Sequence, residues 1–538
     1  MKNRDEKGAC GIIMQGADAK QAELRDSTRR RRSQSRPRRS VSADILAQQL
    51  PWSQPQWSDQ PTQPLHEEQL EALHQASLTV LKETGILFLN EEALSILVQA
   101  GCSVDQASSL VRFDPQFITD RLARAPASFE IVPRNPEKRL VWGGRYFNFG
   151  QVGSAPNIQD SNGRRPGTRA EYRDFIKLSQ AFNCIHFLSG YPVEPQDIHA
   201  SVRHLHCLYD KLTLSDKVVH GYSLGPERIE DVMEMVRIAG GLSDAEFAAK
   251  PRMFTNINSS SPLKHDWPML DGAMRMARKG QPVVIAPFTL AGAMAPVTIT
   301  GALVQQNAEA LAAIALLQEI NPGTPVVYGA FTSNVDMKSG APAFGTPEYV
   351  RAAQISGQLA RRYQLPWRSS NANAANVPDG QAAWESVFSL FGCMTGQANV
   401  IYHSAGWLEG GLSASKSKFV MDCEILQQLI ALQEALPASA DDLAVEAIAE
   451  VGPHGHFFGA EHTQSRYKTA FYTPFLSDWR NYESWQEAGG LWVHERAEKM
   501  AQQIIADFTP PPLDAAIEEE LQAFVARRVE EGGAPTDF

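Results

Sequence analysis

Short strand-like runs recur along this chain at an interval of roughly 30 to 40 residues, the length of one strand-helix unit, and this rhythm constrains the architecture more than any other feature. The runs are Ile185 to Val193, Lys217 to Tyr222, Met253 to Asn258, Pro282 to Pro287, Pro325 to Phe331, Trp367 to Asn371 and Asn399 to His403. The segments between them read as helices with legible ends. Thr168-x-x-Glu171 has the form of a capping box, and Ile229, Val232, Met233 and Val236 share a helical face that halts at Gly240-Gly241. Ala302 to Ile320 ends in Asn-Pro-Gly, Thr346-Pro347 is an N-cap followed by proline, and Asp379 caps a helix expected to bury Trp384, Val387, Phe388 and Phe391.

Strand alternating with helix implies a parallel sheet, either open and doubly wound or closed into a (β/α)8 TIM barrel. The barrel is the better reading. Seven runs are clear, an eighth can come from the Phe147 region or from Leu443 to Val451, and no Gly-x-Gly-x-x-Gly turn follows the first strand. The expected organisation is an Arg-rich disordered tail over 1–64, a small α-rich N-terminal extension over 65–150, the barrel over 151–460 and a C-terminal helical extension over 461–538.

Composition removes several function classes. With 538 residues, 43% of them hydrophobic, the chain can bury a large core, yet no run approaches the ~20 apolar residues of a membrane span. No apolar segment follows the charged start as a secretory signal would, so a cytoplasmic protein is expected, with no membrane role. The six cysteines are far apart, which suggests neither a disulfide framework nor a thiolate metal site. Arg25, Arg29 to Arg32, Arg36, Arg38 and Arg39 crowd one segment of a chain whose net charge is -11. They lack aromatic neighbours and read as a solvated tail, with no nucleic-acid partner.

In a barrel of this kind the C-terminal strand ends carry the site. Here those ends are Asn256 and Asn258, Thr289, Tyr328 and Phe331, Asn371 and Asn373, then His403 and Trp407. The stretch Asn399 to Leu412 is the richest, because a strand runs directly into His403, Trp407, Glu409 and a glycine pair. His403 and Glu409 are the acid-base candidates, while Trp407, Tyr328 and Phe331 offer aromatic faces to a cation. His199, His204 and His206 fall on a helical segment where residues two apart diverge, so no metal site is expected. His454-Gly-His456 reads as a loop closing over the barrel mouth. The long connection from Thr332 to Thr346 places Asp336 and Lys338 in contact with substrate or with each other.

Several separated segments carry a resemblance. Tyr328-Gly-Ala-Phe-Thr-Ser-Asn-Val-Asp-Met-Lys-Ser-Gly340, Phe344-Gly-Thr-Pro-Glu348, Ala405-Gly-Trp-Leu-Glu-Gly-Gly-Leu412, Val451-Gly-Pro-His-Gly-His-Phe457, His462-Thr463 and Tyr482-x-x-Trp485 resemble, in order, the trimethylamine methyltransferase family. The resemblance covers about Gln69 to Pro511 and implies a (β/α)8 barrel that moves a methyl group from an amine to the Co(I) corrinoid of a separate protein. Archaeal members acting on trimethylamine carry pyrrolysine. This chain has only standard residues and is similar to the non-pyrrolysine branch, whose substrates are quaternary amines such as glycine betaine. The expected roles are Trp407, Tyr328, Phe331 and Asn256 around the substrate, with His403, Asn371 and Glu409 as polar orienters. No tightly bound cofactor is expected. Asp197-Ile-His199 begins like a cobalamin-binding signature but fails at Val202, which places the corrinoid on a partner. A homo-oligomer is also implied. Two rivals stand beside this reading: a methylamine-type methyltransferase acting directly on a folate, and a non-catalytic barrel that binds betaine.

Overall fold

The structure, a computed structural model, describes residues 46–536. Its centre is a curled parallel sheet flanked by helices. The strands are β1 (Asn148–Phe149), β2 (Phe187–Leu188), β3 (Val218–Val219), β4 (Thr255–Ile257), β5 (Val283–Ile285), β6 (Val326–Gly329), β7 (Trp367–Ser370) and β8 (Val400–Tyr402). Each is followed by a helix: α1 (Arg169–Ala181), α2 (Ala200–Leu214), α3 (Pro226–Ala239), α4 (Trp267–Arg278), α5 (Ile299–Ile320), α6 (Pro347–Arg362), α7 (Gly380–Gly396) and α8 (Lys416–Leu432). Six strands form one sheet in the order β4-β5-β6-β7-β8-β1, and β2 pairs with β3. Single bridges join that pair to the two edges of the six-stranded sheet, Gly150 with Phe187 and His220 with Phe254. At Gly150 a Cβ would lie 2.1 Å from the Phe187 ring, so this contact requires glycine.

The sheet's concave side is filled. Phe187, Val218, Phe254, Val284, Ala286, Val327, Val400 and Tyr402 form one buried cluster with Ile131, Leu140 and Trp142 from an antiparallel hairpin (Ser128–Ile131 and Leu140–Gly143). The hairpin thus plugs the end where the strands begin and leaves their C-terminal ends free. The eighth strand comes from the Phe147 region. The alternative source, Leu443 to Val451, is helical over Val445–Val451.

Two expectations change. The Arg-rich cluster Arg25 to Arg39 lies outside the described residues, but residues 46–64, counted with it in sequence, run against the sheet as a strap. Trp57 stacks on Phe147 at 3.8 Å and donates from Nε1 to the Ala398 carbonyl at 3.0 Å. Gln54 bonds both the N–H and the C=O of Val141. The second change is α7, whose large apolar residues point outward: Trp384, Val387, Phe388 and Phe391 are 62, 52, 36 and 41% exposed. Periodicity correctly finds an apolar stripe there, but the buried side is the opposite one, made of Ala382, Ser386, Ser389, Gly392, Cys393 and Gly396. Small residues let α6 approach closely; a Cβ on Gly357 would lie 2.4 Å from the Gly396 carbonyl oxygen.

His186 ties three pieces together. Its Nδ1 accepts from the Phe149 N–H at 2.9 Å and its Nε2 donates to the Ser53 carbonyl at 3.1 Å, joining β1, the start of β2 and the strap. The ring must be neutral for this. Burial, reinforced by the Lys217 charge, lowers its pKa to about 3. Below about pH 6.5 the unfolded chain therefore takes up a proton that the folded chain refuses, so this residue makes stability fall as pH falls. Urea titrations between about pH 7.5 and 5.5 should show wild type losing about 1.4 kcal/mol per pH unit more than His186→Gln once below about pH 6.5. Parallel curves for the two proteins would refute the assignment.

Candidate active site

A cavity of about 470 Å³ opens where the strands end. Gly153 and Ser154 reach it after β1, Gly190 after β2, His220 and Tyr222 after β3, Asn256 from β4, Phe288 after β5, Phe331 after β6, Arg368 from β7, and Tyr402, His403 and Trp407 from β8 and beyond. The wall is aromatic on the β6 to β8 side. Phe331 lies 6.2 Å from Trp407 and 6.1 Å from His403, and the His403 and Trp407 rings are 4.0 Å apart.

The turn after β8 sets Trp407. His403 and Glu409 hold left-handed φ values of 55° and 54°, and Gly406, Gly410 and Gly411 do likewise, which coils the chain sharply around the indole. Gly411 lies so close that a Cβ would sit 2.6 Å from the ring. Trp407 donates from Nε1 to the Asn373 carbonyl at 3.2 Å. Beneath the turn, the Gly406 N–H donates to Asp422 at 2.9 Å, and Asp422 is itself ion-paired with Lys418, both fully buried. Lys418 also donates to Ser386 at 2.7 Å. The pair and its hydrogen bonds thus hold the indole from behind.

His403 is neutral. Burial and the neighbouring Arg368 charge push its pKa well below the ordinary histidine value. Nδ1 accepts from the Gly153 N–H at 3.2 Å, which leaves the proton on Nε2. The ring is therefore a hydrogen-bond donor at this position and not a cationic acid.

Of the sequence candidates, His403, Trp407, Phe331 and Asn256 share the cavity. Three others lie elsewhere. Tyr328 is fully buried behind the sheet, where Gln306 donates to its hydroxyl and it donates to Asn307 at 3.0 Å. Its side chain points to α5, on the far side of β6 from the cavity. Asn371 donates to the Ser404 carbonyl at 3.0 Å and takes the Tyr402 carbonyl at its backbone N–H, a brace for the β8 turn. Glu409, an acid-base candidate in the sequence, pairs with Arg164 at 3.0 Å and accepts from Ser413 at 2.6 Å, and it is not among the residues that line the cavity. Asp336 accepts from Ser339 and from the Lys338 backbone, capping its own loop. His454 and His456 lie on an exposed segment that contributes nothing to the cavity wall. His204 is engaged by Asp231 at 2.8 Å, which also binds Arg528 of the C-terminal helix Ala515–Glu530. Among the described residues no three His, Cys, Asp or Glu side chains are grouped to hold a metal ion.

Sequence reasoning passed over Arg368, Tyr402, Tyr222, His220 and Phe288. Tyr222, His220 and Phe288 sit at or just past strand ends and fall under the rule that found the others. Arg368 had a different signal: it is a charge within a strand-like segment, Trp367 to Asn371, at a place where a parallel strand is buried on both faces.

Comparison with known proteins follows the same direction. The profile of the family described as trimethylamine methyltransferase (MTTB) matches residues 28–533. A glycine betaine methyltransferase of Desulfitobacterium hafniense (strain Y51) is 40% identical over 443 residues, 82% of this chain and 92% of the relative. A trimethylamine methyltransferase of D. hafniense (strain DSM 10664 / DCB-2) is 30% identical over 82% of this chain and 89% of its own length. A proline betaine:corrinoid methyltransferase of Eubacterium limosum is 29% identical, over 81% of this chain and 91% of its own. Among solved structures, the monomethylamine methyltransferase of Methanosarcina barkeri aligns over 82% of this chain and 93% of its own at 12% identity, with a TM-score of 0.46. With a family profile spanning nearly its whole length, this methyltransferase belongs to the trimethylamine methyltransferase family.

Proposed function

We propose that the protein transfers a methyl group from a quaternary amine of the betaine type to the corrinoid of a separate protein, in the cytoplasm. The observation that carries this reading is the aromatic wall of the cavity, Trp407 and Phe331 with Tyr402 and Tyr222, around a space that no carboxylate lines among the described residues. A quaternary ammonium departs as a neutral amine, so its methyl is transferred without a proton donor. Neutral His403 agrees with that chemistry. The chain's task is then to strip water from the cation, hold it against ring faces and aim one methyl outward. The names of the relatives, which include a glycine betaine and a proline betaine enzyme, support the substrate class and the corrinoid acceptor.

When docked, the partner supplies a Co(I) nucleophile. This chain supplies an open mouth for it, lined by Leu412 at 50% exposure, and the connections that follow β5 and β6 carry exposed Val297 at 69% and Met337 at 70%. Such side chains suit a broad, flat partner surface. Two further parts of the reading rest on geometry. The bridges Gly150 to Phe187 and His220 to Phe254 support closure of the sheet into a (β/α)8 barrel. The outward stripe Trp384, Val387, Phe388 and Phe391 on α7 supports a homo-oligomer.

Mixing the protein with a Co(I) corrinoid carrier and glycine betaine should convert Co(I) absorbance to that of the methylated carrier, with dimethylglycine as the second product. Absence of conversion with every quaternary amine tried, alongside turnover with a folate alone, would select the folate rival. Trp407→Ala should lower kcat/KM by about 30-fold, the value of a desolvated cation-π contact near 2 kcal/mol. His403→Gln, which keeps a neutral donor, should stay within about tenfold of wild type, and a larger loss would mean that the imidazole takes part in the chemistry. In light scattering, Trp384→Asp with Phe388→Asp should reduce the assembly to single chains, and an unchanged mass would remove α7 from the interface.

A further inference from the structure

Arg368 is the one charged side chain that lines the cavity among the described residues. It is only 3% exposed, yet it forms no ion pair with any described residue. Its guanidinium lies between two rings, 4.5 Å from the centre of Tyr402 and 5.3 Å from that of Phe331. Its protein acceptor is the Ala330 carbonyl, 3.4 Å from Nη1, and Nε has none. The Tyr402 hydroxyl beside it is also buried without a partner. Burying a guanidinium without a counter-charge is costly, and the aromatic faces offset only part of that cost. A cavity built to hold a bare cation would not carry a lone positive charge in its wall.

Building on the betaine reading above, we infer that Arg368 and the Tyr402 hydroxyl form a carboxylate subsite, so that the site selects zwitterionic quaternary amines over purely cationic ones. The distances fit a small zwitterion. Arg368 and Trp407 flank the same Phe331 ring, at 5.3 and 6.2 Å, leaving room for a carboxylate and an ammonium separated by a short carbon spacer. The depths fit as well. Arg368 lies within strand β7, opposite Val400, whereas Trp407 sits beyond the end of β8, beside Gly411 and half-exposed Leu412 at the mouth. A substrate anchored by its carboxylate on Arg368 therefore points its N-methyl groups outward, toward the face open to a partner. The guanidinium offers paired N–H donors to carboxylate oxygens. It also repels an ammonium that enters in the reverse orientation.

Three probes separate the two halves of the site in calorimetry: glycine betaine, which carries both groups; tetramethylammonium, which carries only the cation; and 3,3-dimethylbutanoate, its carboxylate-bearing carbon isostere. Arg368→Met should weaken glycine betaine and 3,3-dimethylbutanoate by on the order of 100-fold, the range seen when a buried charge pair loses one member, and leave tetramethylammonium unchanged or tighter. Arg368→Lys should recover part of the loss because it restores the charge without the fork. Tetramethylammonium binding doubles as the check that each variant keeps its cavity. If Arg368→Met does not fold, Arg368→Lys and Tyr402→Phe carry the test, each weakening the two carboxylate probes and sparing tetramethylammonium. Equal weakening of all three probes, or no weakening of glycine betaine, overturns the subsite. If wild type binds neither glycine betaine nor the isostere, the betaine reading itself fails and takes this one with it. Wild type binding glycine betaine no tighter than tetramethylammonium would overturn the subsite alone.

Discussion

Strands of two to four residues cannot hold a sheet through their own hydrogen bonds, and the apolar filling of the concave side is what this structure depends on. Phe187, Phe254, Val284, Val327 and Val400 meet Trp142 of the plugging hairpin in a single cluster, which ties these strands to one another through their inward side chains. Rings meet edge to face within it, Phe187 with Phe254 at 5.5 Å and Trp142 with Phe254 at 4.9 Å, a preferred arrangement that also fixes rotation. One end of the sheet is closed as a result. The other end is left for the residues just past each strand, among them the left-handed turn from His403 to Gly411 and the unpartnered Tyr402 hydroxyl.

That second end has a consistent electrical character. His403 is neutral, the described lining holds no carboxylate, and Asp422 and Lys418 neutralise each other behind the Trp407 turn. Arg368 stands against this background as a fixed charge in a low-dielectric wall, where a field acts over the whole width of a small ligand. In the proposed site, shape and aromatic faces hold the methylated nitrogen and the charge orients it, so that affinity for the ammonium and choice of orientation come from different residues.

How much of this could be read from the residues follows the same division. Helix ends and strand positions were legible because capping residues and strand-like patterns are local: the Thr168 box, the Asp379 cap and all seven strand-like runs sit where the sequence puts them. Trp407, His403, Phe331 and Asn256 were legible because a strand-end position is a statement about topology. Tyr328 was not, since alternation along a strand decides which face a residue takes, and a run apolar on both faces hides the phase. Glu409 was lost to a glycine-rich turn whose direction depends on left-handed angles at five positions between 403 and 411. The α7 stripe shows the limit of periodicity most plainly: a helix can bury its small side, and amphipathicity alone does not say which partner the large side awaits.

The Phe331 ring has a neighbour on the side away from the cavity. Phe344, on the returning arm of the long β6 to α6 connection, stacks on it at 5.4 Å and 8°, and the same connection carries exposed Met337. The Phe331–Val335 and Pro342–Ala343 strands tie the connection to itself in antiparallel register. The loop and the ring that faces the cavity are therefore one mechanical piece. On the proposed reading, a partner pressing on Met337 would be felt at Phe331, so that occupancy of the cavity and contact at the mouth could inform each other without any hinge between domains.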